Sequence, residues 1–143
     1  MDWIEQDTNK HQDHVIAHVL GATVLGYFAF DESMYLLLDI GFIWQIYLDG
    51  EMGLLPHTVA VKELDAADEI RQELGTECDL LLGQAFKADG LKRLTAAPVE
   101  CLIEEVQFFT CADEWRLLLK GEDADLTVTS SFGTRSILLE TGG

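Results

Sequence analysis

Apolar positions recur along this chain with two different periods, and the period switches twice. Between Gln12 and Leu20, Val15, Ile16, Val19 and Leu20 fall on one face of a short helix, and Gly21 is a suitable stop. Strand-like runs follow at Thr23 to Phe30, Tyr35 to Ile40 and Phe42 to Leu48. Asp31-Glu32-Ser33, Gly41 and Asp49-Gly50 punctuate them. In the third run Phe42, Trp44, Ile46 and Leu48 point one way, and Gln45 and Asp49 the other. The pattern predicts a three-stranded antiparallel meander. Its first two runs are apolar on both faces, so both sides need cover.

The middle of the chain reads as helix. Leu64, Ala67, Ile70 and Leu74 form a stripe, with Asp65 placed to cap it, Asp68 three residues on, and Gly75 to end it. Thr76 with Asp79 offers a second cap before Leu81, Leu82, Ala85 and Phe86, and Asp89-Gly90 closes that helix. The expectation is helix from about Asp65 to about Phe86 with a break near Gly75, then a short piece from Leu91 to Leu94. Strands return at Val99 to Cys111, Trp115 to Lys120, Leu126 to Ser131 and Thr134 to Glu140. Trp115, Leu117, Leu119, Leu126 and Val128 face inward, and Arg116, Lys120, Thr127 and Thr129 outward. Strands at both ends around a helical middle, plus the short N-terminal helix, define an α+β fold. The pattern leaves open whether one continuous sheet or two packed sheets result.

The two β regions echo each other. Phe28 to Asp39 and Phe109 to Lys120 each read as an apolar run, an Asp-Glu corner, an aromatic residue and three leucines. Asp31-Glu32 and Asp113-Glu114 lie 82 positions apart, and Leu36 and Leu117 lie 81 apart. Each copy suits a β-hairpin, and the repetition reads as a weak internal duplication.

A length of 143 residues with 48% hydrophobic positions suits a single domain spanning 1–143 that builds its own core. Met1 to Asn9, polar apart from Trp3 and Ile4, and Gly142-Gly143 are expected to fray. Val15 to Phe30 is nearly all apolar but only 16 residues long, contains Gly21 and Gly26, and lacks a basic flank. It is read as a helix running into a buried strand, with no membrane anchor. Nothing at the N-terminus resembles a signal peptide.

Charge changes the picture more. Twenty-six acids against nine Lys and Arg give a formal net charge of −17 and a pI near 4.3. Such a surface repels nucleic-acid backbones and anionic membranes. It attracts basic proteins and divalent cations, and it also serves plain solubility. Cys78, Cys101 and Cys111 are an odd set without a CxxC pair. They argue against a disulfide framework and a zinc knuckle, and for a reducing, cytoplasmic setting.

Candidate chemistry is sparse. His11, His14 and His18 share one helical stripe, and His57 could join them from elsewhere; the spacing permits a transition metal, but HExxH and a nearby cysteine are missing. The stripe is therefore expected to be metal-free. Glu122-Asp123-Ala124-Asp125 resembles the start of a calcium loop without its later ligands, and is read as a solvated acidic turn. Glu104 and Glu105 alternate faces on a strand, so one can point inward, as a general acid or as a partner for Arg116; a simple salt bridge at a sheet face is the favoured reading. Trp44, Tyr47 and Trp115 are expected in the core. GxSxG, GxGxxG and Walker A patterns do not occur, so no catalytic residue and no cofactor is assigned.

The sequence thus favours a non-catalytic protein-interaction module that binds a basic partner, with Glu122, Asp123 and Asp125 as the candidate face. In composition this is immunity-like, in the manner of bacterial proteins that neutralise basic toxins. The alternative is a small-ligand or metal-binding domain, or an enzyme, using the His11, His14 and His18 stripe. A homo-oligomer through unpaired sheet edges is a third possibility.

Overall fold

The computed structural model describes residues 3–83 and 92–142. Among them are nine strands and three helices. A short β1 (Ile4–Glu5) precedes α1 (Lys10–Val19). The first meander is β2 (Thr23–Phe30), β3 (Ser33–Leu38), β4 (Phe42–Tyr47) and β5 (Met52–Pro56). Two helices follow, α2 (His57–Lys62) and α3 (Asp68–Leu82). The second meander is β6 (Thr95–Cys111), β7 (Glu114–Gly121), β8 (Asp125–Ser131) and β9 (Ser136–Gly142).

All pairings are antiparallel, in the order β5-β4-β3-β2-β6-β7-β8-β9, with β1 on β6. The 17-residue β6 joins the meanders: Thr95 to Leu102 pairs with β2, and Ile103 to Cys111 pairs with β7. One hydrogen-bonded path therefore runs through the whole sheet. Its two halves nonetheless face each other across a shared core. Met34, Leu36, Leu38, Trp44 and Ile46 from one half meet Ile103, Phe108, Leu117, Leu119 and Val128 from the other. Val15 and Val19 of α1 enter the same core.

The outward face of the first meander carries a second core. Phe28, Tyr35, Leu37 and Ile43 pack on Ala60, Val61, Leu64, Leu74 and Cys78 of the helical region. β3 is buried at every position because its alternate residues serve the two cores. β2 changes faces at a bulge between Val24 and Gly26, so that Val24 joins the first core and Phe28 the second.

Several expectations change. The first meander has four strands, because the short run Met52–Pro56, interrupted by Gly53, pairs with β4. A separate helix, α2, precedes the expected one. α3 starts at Asp68 rather than Asp65, with Ala67 at its N-cap and no side-chain cap. It passes through Gly75 without a break, since Leu74 and Cys78 continue one buried face across it. Ala85, Phe86, Asp89, Gly90 and Leu91 lie outside the described residues. Residues 3–9 are tied down: β1 pairs with β6, and Trp3 lies under the Arg116 guanidinium at 4.1 Å. Glu104 and Glu105 are both exposed, because a bulge between Ile103 and Glu105 interrupts the alternation. Arg116 accordingly meets Trp3 instead of an inward carboxylate.

Both acidic corners lie at hairpin turns, but not in equivalent frames. The first loop is Asp31-Glu32, between paired Phe30 and Ser33. The second is Ala112-Asp113, between paired Cys111 and Glu114. The loops are 81 positions apart, which matches the leucine spacing rather than that of the Asp-Glu pairs.

Polar side chains stitch the layers together. Buried Gln12 completes a capping box with Asn9 and donates to the Gly50 carbonyl at 3.1 Å. Ser130 Oγ donates to the Leu48 carbonyl at 3.0 Å, joining the two halves of the sheet. Glu77, 5% exposed, accepts the backbone N–H groups of Lys92, Arg93 and Leu94.

Candidate functional site

Three loops converge at one end of the molecule: Asp31-Glu32, the β4–β5 turn at Leu48 to Glu51, and the β8–β9 turn at Phe132 to Arg135. Together they line a cleft of about 460 Å³. The acids Asp31, Glu32, Asp49 and Glu51 surround it, and Arg135 is the one cation among its lining residues. Arg135 grips Glu32 with both arms of its guanidinium, Nε to Oε1 at 2.8 Å and Nη2 to Oε2 at 2.6 Å. That fork draws the β8–β9 loop onto the β2–β3 loop and neutralises the cation. A neighbouring cleft shares Asp31 and Tyr47 and adds Glu63 and Asp65, so the acidic surface continues toward the helices.

Two large side chains stand in this field. Tyr47 is 41% exposed and Phe132 is 43% exposed. Tyr47, expected in the core, is outside it: it shares the helix-side face of β4 with Ile43, but at the end of the strand, where the helical layer no longer covers it. Its hydroxyl donates to Gln45 Oε1 at 3.1 Å, and Gln45 Nε2 donates to the Tyr35 hydroxyl at 2.9 Å. Burial raises the Tyr35 phenol, with further contributions from Tyr47 and Asp31.

The backbone under the cleft is costly. Asp31, Glu32 and Arg135 have φ of 50°, 60° and 52°, the left-handed region where glycine is the cheap choice. They are three of the four non-glycine residues with positive φ among the described residues. A two-residue hairpin loop of this kind favours Asn-Gly, yet two acids occupy it. Strained residues of this sort concentrate at functional sites.

Glu122 and Asp123 sit in the β7–β8 turn and Asp125 opens β8, at the opposite end of those strands from the β8–β9 turn. Glu122 and Asp123 are exposed, but Asp125 Oδ1 accepts the Gly121 N–H at 3.1 Å and serves the turn itself. Of the histidines on α1, His14 and His18 stand side by side and His11 turns away to β5. His11 Nε2 meets the Met52 carbonyl at 2.8 Å, and His18 Nδ1 meets the His14 carbonyl at 2.9 Å. The rings of His14 and His18 lie 4.6 Å apart. His57 is on α2, where Nε2 meets Asp79 Oδ1 at 2.8 Å. Among the described residues no three His, Cys, Asp or Glu side chains converge in a way that could hold a metal ion.

The three cysteines are free and buried. Burial, followed by the charges of Asp79 and Glu77, pushes the Cys78 thiol up to about 12. Among the described residues no helix is long and apolar enough to cross a membrane. Comparison with protein-family models, with curated proteins and with solved structures gives no match.

Sequence reasoning missed Tyr47, Asp49, Glu51, Phe132 and Arg135 as members of one site. The available signal was an acidic pair in a two-residue loop, a position that normally selects Asn-Gly. Nothing in the sequence brings together loops about 100 residues apart, as the Glu32–Arg135 pair does.

Proposed function

We propose that this chain is a non-catalytic protein-interaction module that receives a basic segment of a partner protein in the cleft at the hairpin tips. The observation that carries this reading is the placing of exposed aromatics among acids, two of them on left-handed backbone: Tyr47 and Phe132 stand among Asp31, Glu32, Asp49 and Glu51. Aromatic side chains supply contact area at little entropic cost, and surrounding carboxylates select and steer arginine or lysine. The formal charge of −17 extends that steering beyond the cleft. Glu122, Asp123 and Asp125, at the other end of the strands, add to the long-range field without contacting the docked segment.

The free, buried cysteines support a reducing, cytoplasmic setting for the module. The matched spacing of the loops and leucines supports an internal duplication, to be tested by superposing β2–β3 on β6–β7.

The test uses a fluorescently labelled peptide that alternates arginine with leucine, and a glutamate-for-arginine control. The arginine peptide should bind at about 50 mM salt and weaken by about tenfold or more at about 500 mM, where screening is nearly complete. Combined Tyr47→Ala and Phe132→Ala should cost about 2 kcal/mol, or roughly thirtyfold in affinity. Binding that ignores both salt and the aromatic pair would remove the basis for this function.

A further inference from the structure

A second cleft, of about 340 Å³, lies between α2 and α3 and has a different character. His57, Lys62 and Arg71 line it together with Thr58, Val61 and Gly75. In a chain with only nine Lys and Arg, this is an uncommon gathering of cationic groups. The two carboxylates at its margin are already engaged. Asp79 holds His57 at 2.8 Å, and Asp68 holds Arg71, whose Nη1 also donates to the Lys62 carbonyl at 3.1 Å. Among the described residues no carboxylate pairs with the exposed Lys62 ammonium.

Gly75 is the second observation. It sits in the middle of the 15-residue α3, where glycine costs about 0.5–1 kcal/mol relative to alanine. Neither conformation nor packing calls for it. Its φ is not in the left-handed region, and an added Cβ would meet only Val61 Cγ1, at an ordinary 3.8 Å. The missing side chain leaves the α3 backbone open as the floor of the cleft. A flat group can lie there against Val61.

We infer that the α2–α3 cleft binds a small organic carboxylate with a flat apolar body, the anion directed to Lys62 and Arg71 and the body resting on Gly75 and Val61. The volume lies within the usual range for small-molecule sites, roughly 300–1,000 Å³. The charges lining the cleft balance, Lys62 and Arg71 against Asp68 and Asp79 with His57 beside them, so an anion meets less repulsion here than over the rest of a molecule of net charge −17, and Lys62 is the cation left to receive it. His57, fixed through Nε2 by Asp79, offers its second ring nitrogen as an orienting polar group. This site is separate from the hairpin-tip cleft and does not depend on the reading of that cleft.

The experiment is amide-resolved NMR titration of the full chain with benzoate and 4-methylbenzoate, with benzamide as the neutral control and inorganic phosphate as a second anion. Saturable shifts at Val61, Lys62 and Gly75 with the carboxylates, and binding at least about tenfold weaker for benzamide, are expected, since the charge contact is worth about 1.4 kcal/mol. Gly75→Leu, which replaces glycine by a residue that favours helix and fills the floor of the cleft, should abolish the shifts. Lys62→Gln, an exposed change that leaves the fold intact, should weaken benzoate about tenfold and erase its preference over benzamide. The inference is overturned by equal binding of benzoate and benzamide, by phosphate binding in place of the carboxylates, by no saturable shift at millimolar ligand, or by unchanged benzoate binding in Lys62→Gln.

Discussion

Removing the Glu77 carboxylate tests how the helical layer holds the start of the second meander. The side chain is 5% exposed, and its oxygens lie 3.0 Å from the Arg93 nitrogen and 3.2 Å from the Leu94 nitrogen, with Lys92 also bonded. Lys92 and Arg93 are exposed, so their amides can turn to water when the carboxylate is lost. Leu94 is 2% exposed, and its amide cannot. One buried donor left unsatisfied costs about 1–3 kcal/mol, and the other charge-assisted bonds, net of rehydration, add about 1 kcal/mol. Glu77→Ala should therefore lose about 2–4 kcal/mol, or about 6–12 °C in Tm for a chain of this size. Glu77→Gln should lose less, because its carbonyl oxygen can still accept the buried Leu94 N–H while its NH2 group faces the exposed Lys92 amide, which water can serve. Guanidinium unfolding followed by fluorescence of the fully buried Trp44 measures the change, with the denaturant slope unaltered. If Glu77→Ala stays within about 0.5 kcal/mol of the parent, the carboxylate does not hold these amides and the reasoning fails.

Gly50 has φ of +87°, and a Cβ there would lie 2.6 Å from the Phe108 ring, so Gly50→Ala should cost about 2–4 kcal/mol. A loss below about 1 kcal/mol in thermal unfolding would show that Phe108 yields easily. Asp31→Asn combined with Glu32→Gly should raise stability by about 1 kcal/mol by relieving left-handed backbone, while weakening the arginine peptide. Unchanged peptide affinity in that variant would separate the strain from binding. The Cys78 thiol rises from 9.0 to about 12 on folding, so between those values the folded chain keeps a proton that the unfolded chain has released. Stability should therefore fall as pH climbs through that window, by up to about 1.4 kcal/mol per unit from this group. A Cys78→Ala variant should show a shallower decline in Tm against pH, and an identical decline would assign the effect elsewhere.

Elements with strong period were legible from sequence. Alternation marks β4 and β8 to within a residue, and β2, apolar on both faces, is bounded instead by Gly21 before it and the Asp31-Glu32 corner after it. What escaped was short or depended on distant partners. α2 is only six residues long, and β5 carries Gly53 and Pro56, so neither shows a clear period. Gly75 reads locally as a stop, but the buried face formed by Leu74 and Cys78 overrides it. The bulges in β2 and β6 exchange faces without any turn residue to mark them. The acidic cleft was harder still. Its overall charge is visible in the sequence, and the densest acidic run, Glu122 to Asp125, is the face that the sequence singles out. The cleft assembles from sparser acids on three separate loops, which no local pattern links.

The shared core between the sheet halves bears on how the chain is made. Leu36 and Leu38 of β3 pack against Leu117, Leu119 and Val128. During synthesis at about 5–20 residues per second, the first meander waits several seconds for the residues that cover its inner face. Over that interval a nascent chain displays a row of leucines, with β2 still lacking its β6 neighbour. Asp31, Glu32, Asp39, Asp49 and Glu51 are already present on the loops around that face. Like charges at these positions oppose edge-to-edge pairing of two such segments, the property by which charged residues guard exposed strands in general.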